Sequence, residues 1–183
     1  IPGINDDGQV TLFASLLQSG LSSPATTADN DTGLWSELGG TGFQILIRED
    51  DTIPGLGGPK VDTLGYGCFA TTRTSATTGE AAFIVGMKNG STDTALLRTS
   101  VVSSDTTAVG VIARENTAAP GAGENFSGLN NNVTRSTRMD AQGNVVFAAG
   151  LASGKTGIWY QDQTTKAVSK TVLTGDAAPG TTA

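Results

Sequence analysis

Short apolar runs, alternating with polar positions and broken every few residues by glycine or proline, set the pattern of this chain. No stretch of useful length keeps the 3.6-residue period of a helix, whereas several keep the two-residue period of a strand. The runs at 10–16 (VTLFASL), 81–87 (AAFIVGM) and 144–151 (NVVFAAGL) each predict a strand. A turn signal precedes each one: NDDG at 5–8, TTG at 77–79 and DAQG at 140–143. Glycine takes a positive φ without steric cost and Asn or Asp bonds its own backbone nearby, so these segments predict tight turns delivering strands.

Two further markers recur in the same order. A short apolar strand reads TGLW at 32–35, TALL at 94–97 and TGIW at 156–159, which puts Trp35, Leu97 and Trp159 62 residues apart. A third strand, at 43–48, 108–114 and 167–173, runs into a proline turn, with Pro54, Pro120 and Pro179 spaced by 66 and 59. The turn glycines Gly8, Gly79 and Gly143 are spaced by 71 and 64. Three markers in one order with a period near 60 make an internal repeat. Segments 61–72 and 126–138, less regular in alternation, are read as a fourth strand of the first two repeats.

Four strands per repeat in a meander is the unit of a propeller blade, so the expected fold is all-β, a β-propeller-like array of three four-stranded antiparallel blades. The expected blades are 1–74, 75–138 and 139–183, the last one incomplete, within a single repeat domain. A β-sandwich and a β-solenoid are the alternatives. Three blades are fewer than the four to eight that close a ring, and unpaired edges invite association. Further repeats, a second copy completing a six-blade ring, or head-to-tail assembly through the open blade edges would each satisfy them.

Composition narrows the function. Of 183 residues only 15% are charged, glycine accounts for 25, and the formal net charge is −6, which disfavours a nucleic-acid partner. No histidine is present, which removes the commonest general base and transition-metal ligand. The single cysteine, Cys68, reads as a small apolar residue rather than a nucleophile. No run of 18 apolar residues exists, so no membrane span is expected.

The strings around Asn5, Asp6, Gly8, Val10, Phe13 and Ala14, and around Asp140, Gly143, Val145, Phe147 and Ala148, together with the GLW and PG markers, resemble tandem-repeat, propeller-like secreted or surface proteins of environmental bacteria. The second repeat departs, with Thr77 and Thr78 in place of Asn or Asp and Leu97 in place of Trp. The resemblance implies a fold and an extracellular or cell-surface setting, and it carries no catalytic residue.

Candidate sites are few. Asp29 and Asp31 in one loop, and Asp50 and Asp51 in the first proline turn, are the calcium candidates, set against solvated Asx turns; no other cofactor is expected. Trp35, Trp159 and Phe43 offer a sugar-stacking surface, set against packing between sheets. Arg48, Arg114 and Arg135 would be the arginines of a sialidase-like site, but the first two fall at equivalent places of one repeat. The leading expectation is a non-enzymatic, extracellular, structural and self-associating protein; the alternative is a glycan-binding module.

Overall fold

The computed structural model describes residues 2–16, 30–38, 42–53, 56, 58–73, 78–88, 93–102, 105–129 and 137–177. The chain is all-β. In order, its strands are β1 (Gly3–Ile4), β2 (Val10–Ser15), β3 (Thr32–Ser36), β4 (Gln44–Arg48), β5 (Lys60–Arg73), β6 (Thr78–Lys88), β7 (Thr94–Val102), β8 (Asp105–Arg114), β9 (Phe126–Gly128), β10 (Arg138–Met139), β11 (Val145–Leu151), β12 (Thr156–Gln161) and β13 (Val168–Leu173). They form three open antiparallel meanders, β1-β2-β3-β4, β5-β6-β7-β8 and β10-β11-β12-β13, with β9 added to β11. None closes into a barrel.

The repeat is visible in the pairing register. Leu12 stands opposite Trp35, Phe83 opposite Leu97, and Phe147 opposite Trp159. The pairing of each marker strand with the following strand slips at the same place, between Leu34 and Trp35, Leu96 and Leu97, and Ile158 and Trp159. Such irregularities twist a strand locally, so each sheet is bent at the same point. Four residues before Leu12, Phe83 and Phe147 come Gly8, Gly79 and Gly143. The register also makes Leu12, rather than Phe13, the counterpart of Phe147.

Two expectations are corrected by this topology. Residues 61–72 do not close the first repeat; they belong to β5, which pairs with β6 and opens the middle sheet. The connection between β5 and β6 covers only 74–77, so the hairpin is the nearest pairing available to β5. The chain passes from one sheet to the next at 49–59 and 115–125, one strand before the limits expected at 74 and 138. With that shift, the last meander is not short of a strand: β10 to β13 supply all four.

The turn expected at Gly79 is also absent. Gly79 lies inside β6, opposite Arg73 and Val101. Its missing Cβ serves close packing, since a methyl group there would stand 2.6 Å from Cβ of the buried Leu38. Gly8 and Gly143 do turn, at φ 77° and 84°. Asn5 Oδ1 accepts from the backbone N–H of Asp7 and Gln9, and Asp140 Oδ1 accepts from those of Gln142 and Asn144, so the two Asx turns share one hydrogen-bond scheme.

The sheets stack face to face. Ala81, Phe83, Val85 and Met87 of β6 pack with Leu34 and Ile47 of the first sheet and with Leu38 and Ile53 of its flanking turns. Ala82 and Ile84 of the same strand pack with Phe147, Leu151 and Trp159 of the third. Alternate residues of one strand therefore serve two cores, and nine consecutive residues of β6 are buried. A strand covered on both faces loses its polar alternation, which explains the unbroken apolar run of the second repeat. Burying one such Phe or Leu side chain is worth about 1.5–3 kcal/mol. Cys68 falls in β5, and its side chain lies outside the described residues.

Candidate functional site

Four features of the stack have a character beyond packing: the turns after the third strands, the end where the first strands meet, a polar seam between the middle and third sheets, and the two outer faces.

The reversals that lead into the proline segments share one backbone pattern at 48–51, 114–117 and 173–176; Pro54 and Pro179 lie outside the described residues. Asp50, Asn116 and Gly175 all take left-handed backbone, at φ 67°, 64° and 96°. In each turn a backbone N–H donates to a carbonyl three residues back, from Asp51 to Arg48, Thr117 to Arg114 and Asp176 to Leu173. Glu49 and Glu115 accept from the N–H of Thr32 and Thr94, tying the turn to the start of the marker strand. Arg48 reaches Asn30, and Arg114 pairs with Asp93, so both arginines brace the loop that enters the marker strand.

The Asp50 carboxylate pairs with Lys60 at 2.8 Å and Lys88 at 3.4 Å, and the Lys60 hydrogen bond holds its carboxyl below the ordinary value. Asp51 accepts from Arg48 N–H at 2.7 Å, and burial pushes its carboxyl up. The backbone carbonyl of Asp31 accepts from Leu16 N–H. Asp29 lies outside the described residues, as does Arg135. Among the described residues no group of three or more carboxylate, cysteine or histidine side chains is arranged to hold a metal ion.

The aromatic candidates separate. Trp159 is fully buried, edge-on to Phe126 with ring centres 5.0 Å apart, and its indole N–H donates to the Pro120 carbonyl at 3.0 Å. It is a core residue and presents no face to a sugar. Trp35 is half-buried on the outer face of the first sheet, while Phe43, beside β4, is 52% exposed.

The first strands β1, β5 and β10 approach one another at one end of the stack. Between them lies a cleft of about 340 Å³ that includes Asn5, Asp6, Asp7 and Thr72, continued by one of about 250 Å³ at Gly3, Ala70 and Thr137. Thr137 is buried, and its hydroxyl has no hydrogen-bond partner among the described residues. Asp140, in the neighbouring turn, is held below the ordinary carboxyl value: burial works against this, and the hydrogen bonds from Asn144, Gln142 and Gly143 outweigh it.

A buried polar network, not anticipated from the sequence, joins the middle and third sheets. Arg98 donates to Glu80 at 3.1 Å, to Gln161 Oε1 at 3.1 Å and to the Gly143 carbonyl at 2.8 Å. Glu80 also accepts from Ser100 and Gln163. The available signal was a pair of opposite charges, Glu80 and Arg98, beside apolar strand runs. Their partners Gly143 and Gln161 lie 45 and 63 residues from Arg98, beyond the reach of local pattern.

The outer faces carry the exposed large apolar side chains. Phe43 and Ile45, exposed by 52% and 41%, lie on the free side of the first sheet. Val146, Ile158 and Val172, exposed by 39%, 39% and 37%, lie together on the free side of the third. A groove of about 390 Å³ runs along this second face beside Ala148, Ile158 and Val172.

No helix among the described residues is long and apolar enough to cross a membrane. Neither a curated protein nor a solved structure matches the chain. A protein family matches it over residues 1–183, and the chain belongs to that family, a family of unknown function (DUF7453).

Proposed function

We propose that this chain is a non-enzymatic, extracellular structural repeat protein of propeller-like build, and that its work is self-association. The observation that carries the reading is the contrast between the middle sheet, buried on both faces, and the outer sheets, each with an apolar free face. Contiguous exposed apolar surface marks interaction sites in folded proteins. Three meanders in chain order, stacked with their first strands converging, have the order of strands found within propeller blades.

The acidic side chains of the turns support a structural role, since Asp50, Asp51, Asp140 and Asp176 are spent on lysines and backbone N–H groups. Low charge and the absence of histidine support a non-catalytic, extracellular reading. Light scattering on the purified chain tests it. A mass well above 18.5 kDa at tens of micromolar is expected, and a monodisperse species at 18.5 kDa would overturn the reading.

A second reading, a glycan-binding module, is favoured by one observation: half-buried Trp35 lies on the same outer side as exposed Phe43. Glycan-array binding lost in Trp35→Ala, with the unfolding midpoint kept, would establish it.

A further inference from the structure

We infer that the free face of the third sheet is a socket for the free face of the first sheet of a second copy of this chain, in a head-to-tail contact. The inference rests on the self-association proposed above and assigns it a surface.

The register carries the argument. The face that the middle sheet turns toward the third is built on Ala82, Ile84, Leu96 and Ala113. By the pairings Ala148–Ile158 and Ile158–Val172, set against Ile84–Leu96 and Leu96–Ala113, the corresponding residues of the third sheet are Val146, Ala148, Ile158 and Val172. In the first sheet they are Thr11, Phe13, Leu34 and Ile47, three of them apolar and packed in the core shared with the middle sheet. This face is therefore covered by a following sheet twice within the chain. In its third occurrence it keeps its apolar residues and is open.

The complementary face repeats in the same way. Phe147 and Trp159 of the third sheet rest in the core shared with the middle sheet, and Phe83 and Leu97 of the middle sheet in the core shared with the first. Their counterparts in the first sheet are Leu12 and Trp35, both half-buried on its free side. Ile45 corresponds to Val111, which packs against the core between the first and middle sheets. The occupant that fits the third sheet is thus a surface the molecule already contains, with Trp35 taking beyond the third sheet the place that Trp159 takes beyond the middle one.

Because the two surfaces differ, the contact is heterologous, and it closes only if the rotation returns to its start. Two copies make a ring of six sheets with both faces covered; three would make nine, outside the range of four to eight found for propellers. The expected closed species is a dimer.

Charge placed on one face at a time tests the inference. Ile45→Lys spoils only the first-sheet face and Ile158→Lys only the third-sheet face; both positions are exposed, so the fold is spared. Ile45→Thr and Ile158→Thr, which keep a β-branched side chain, repeat the test if the lysines perturb folding. By sedimentation, each lysine variant alone is expected to weaken association by about tenfold or more. An equimolar mixture of the two regains a dimer, since one intact contact remains between unlike partners. Association that survives both variants, or that is lost with Ile158→Lys and unaffected by Ile45→Lys, overturns this contact while leaving self-association standing. A parent chain that stays monomeric overturns the functional proposal itself.

Discussion

A methyl group on Gly157 would lie 2.8 Å from Cη2 of Trp159 and 2.8 Å from the Val172 carbonyl oxygen, because the indole folds back over the residue two positions before it. Gly33 and Trp35 repeat the relationship, with 2.6 Å to the same ring atom. The middle sheet holds Ala95 and Leu97 at these places, a smaller side chain leaving room for a Cβ. The TGxW marker is thus a packing unit in which glycine and tryptophan depend on each other. Gly157→Ala is expected to cost about 1–3 kcal/mol, the range for overpacking, in urea unfolding. Gly33→Ala costs less, because half-buried Trp35 has room to swing aside. In a Trp159→Leu background the Gly157→Ala penalty falls but does not vanish, since the Val172 carbonyl remains.

The Glu80–Arg98 pair predicts a sharp asymmetry between single and double substitutions. Their side chains are 4% and 6% exposed, so removing one partner strands a charge away from water. Arg98→Met also deprives the Gly143 carbonyl and Gln161 of a donor across the seam. A loss of about 3–5 kcal/mol is expected for Arg98→Met alone. Adding Glu80→Leu recovers a large part of it. Equilibrium unfolding of the three variants checks this; equal losses in single and double would mean that the network's other hydrogen bonds dominate.

Two turn carboxylates are expected to respond to pH in opposite senses. The Asp140 carboxyl is lower in the fold than its ordinary 3.8. Such a group adds stability above the unfolded pKa, and that stability is lost as pH falls through the folded value. Asp140→Asn should therefore destabilise the chain at neutral pH, and its effect should shrink as the pH falls below the ordinary 3.8. Asp51 is raised above 3.8, chiefly by burial, so its ionisation opposes folding at neutral pH. Asp51→Asn keeps an oxygen for the Arg48 N–H and is expected to be neutral or stabilising at pH 7. Thermal midpoints of both variants from pH 2 to 8 make the comparison; parallel curves would contradict it.

How much of this was legible in the sequence follows the range of each interaction. The turns at Asn5–Gly8 and Asp140–Gly143 were readable because the Asx hydrogen bonds that define them span four residues or fewer. The marker strands were readable because Trp35, Leu97 and Trp159 recur at a constant spacing. The phase of the repeat was not, because a proline turn marks a change of direction without saying which sheet receives the next strand. Gly79 looked like a turn and proved to be a close approach, since Leu38, which demands the space, lies 41 residues earlier. Of the candidate sites, Trp159 could be assigned to the core from its place in the repeat, but the exposed faces needed the stacking order.

The left-handed residue of the proline turn gives the last prediction. Asn116 holds φ 64° while its N–H donates to the Phe126 carbonyl at 2.8 Å, so the same residue that reverses the chain also ties it to β9. Phe126 in turn packs on Phe147 and Trp159. Asn116→Gly should be tolerated, because glycine already stands at the corresponding Gly175 and takes positive φ freely. Asn116→Val is expected to lose at least about 1–2 kcal/mol, the left-handed penalty for a residue with a Cβ. Chemical denaturation gives the loss, and near-ultraviolet circular dichroism from Trp159 tells where it is felt. If the strain is relieved by releasing the turn from β9, the aromatic signal weakens before the sheet signal does. If the turn holds, the two signals fall together at a lower denaturant concentration, and the turn is then a uniform contributor to stability rather than a local clamp on the third sheet.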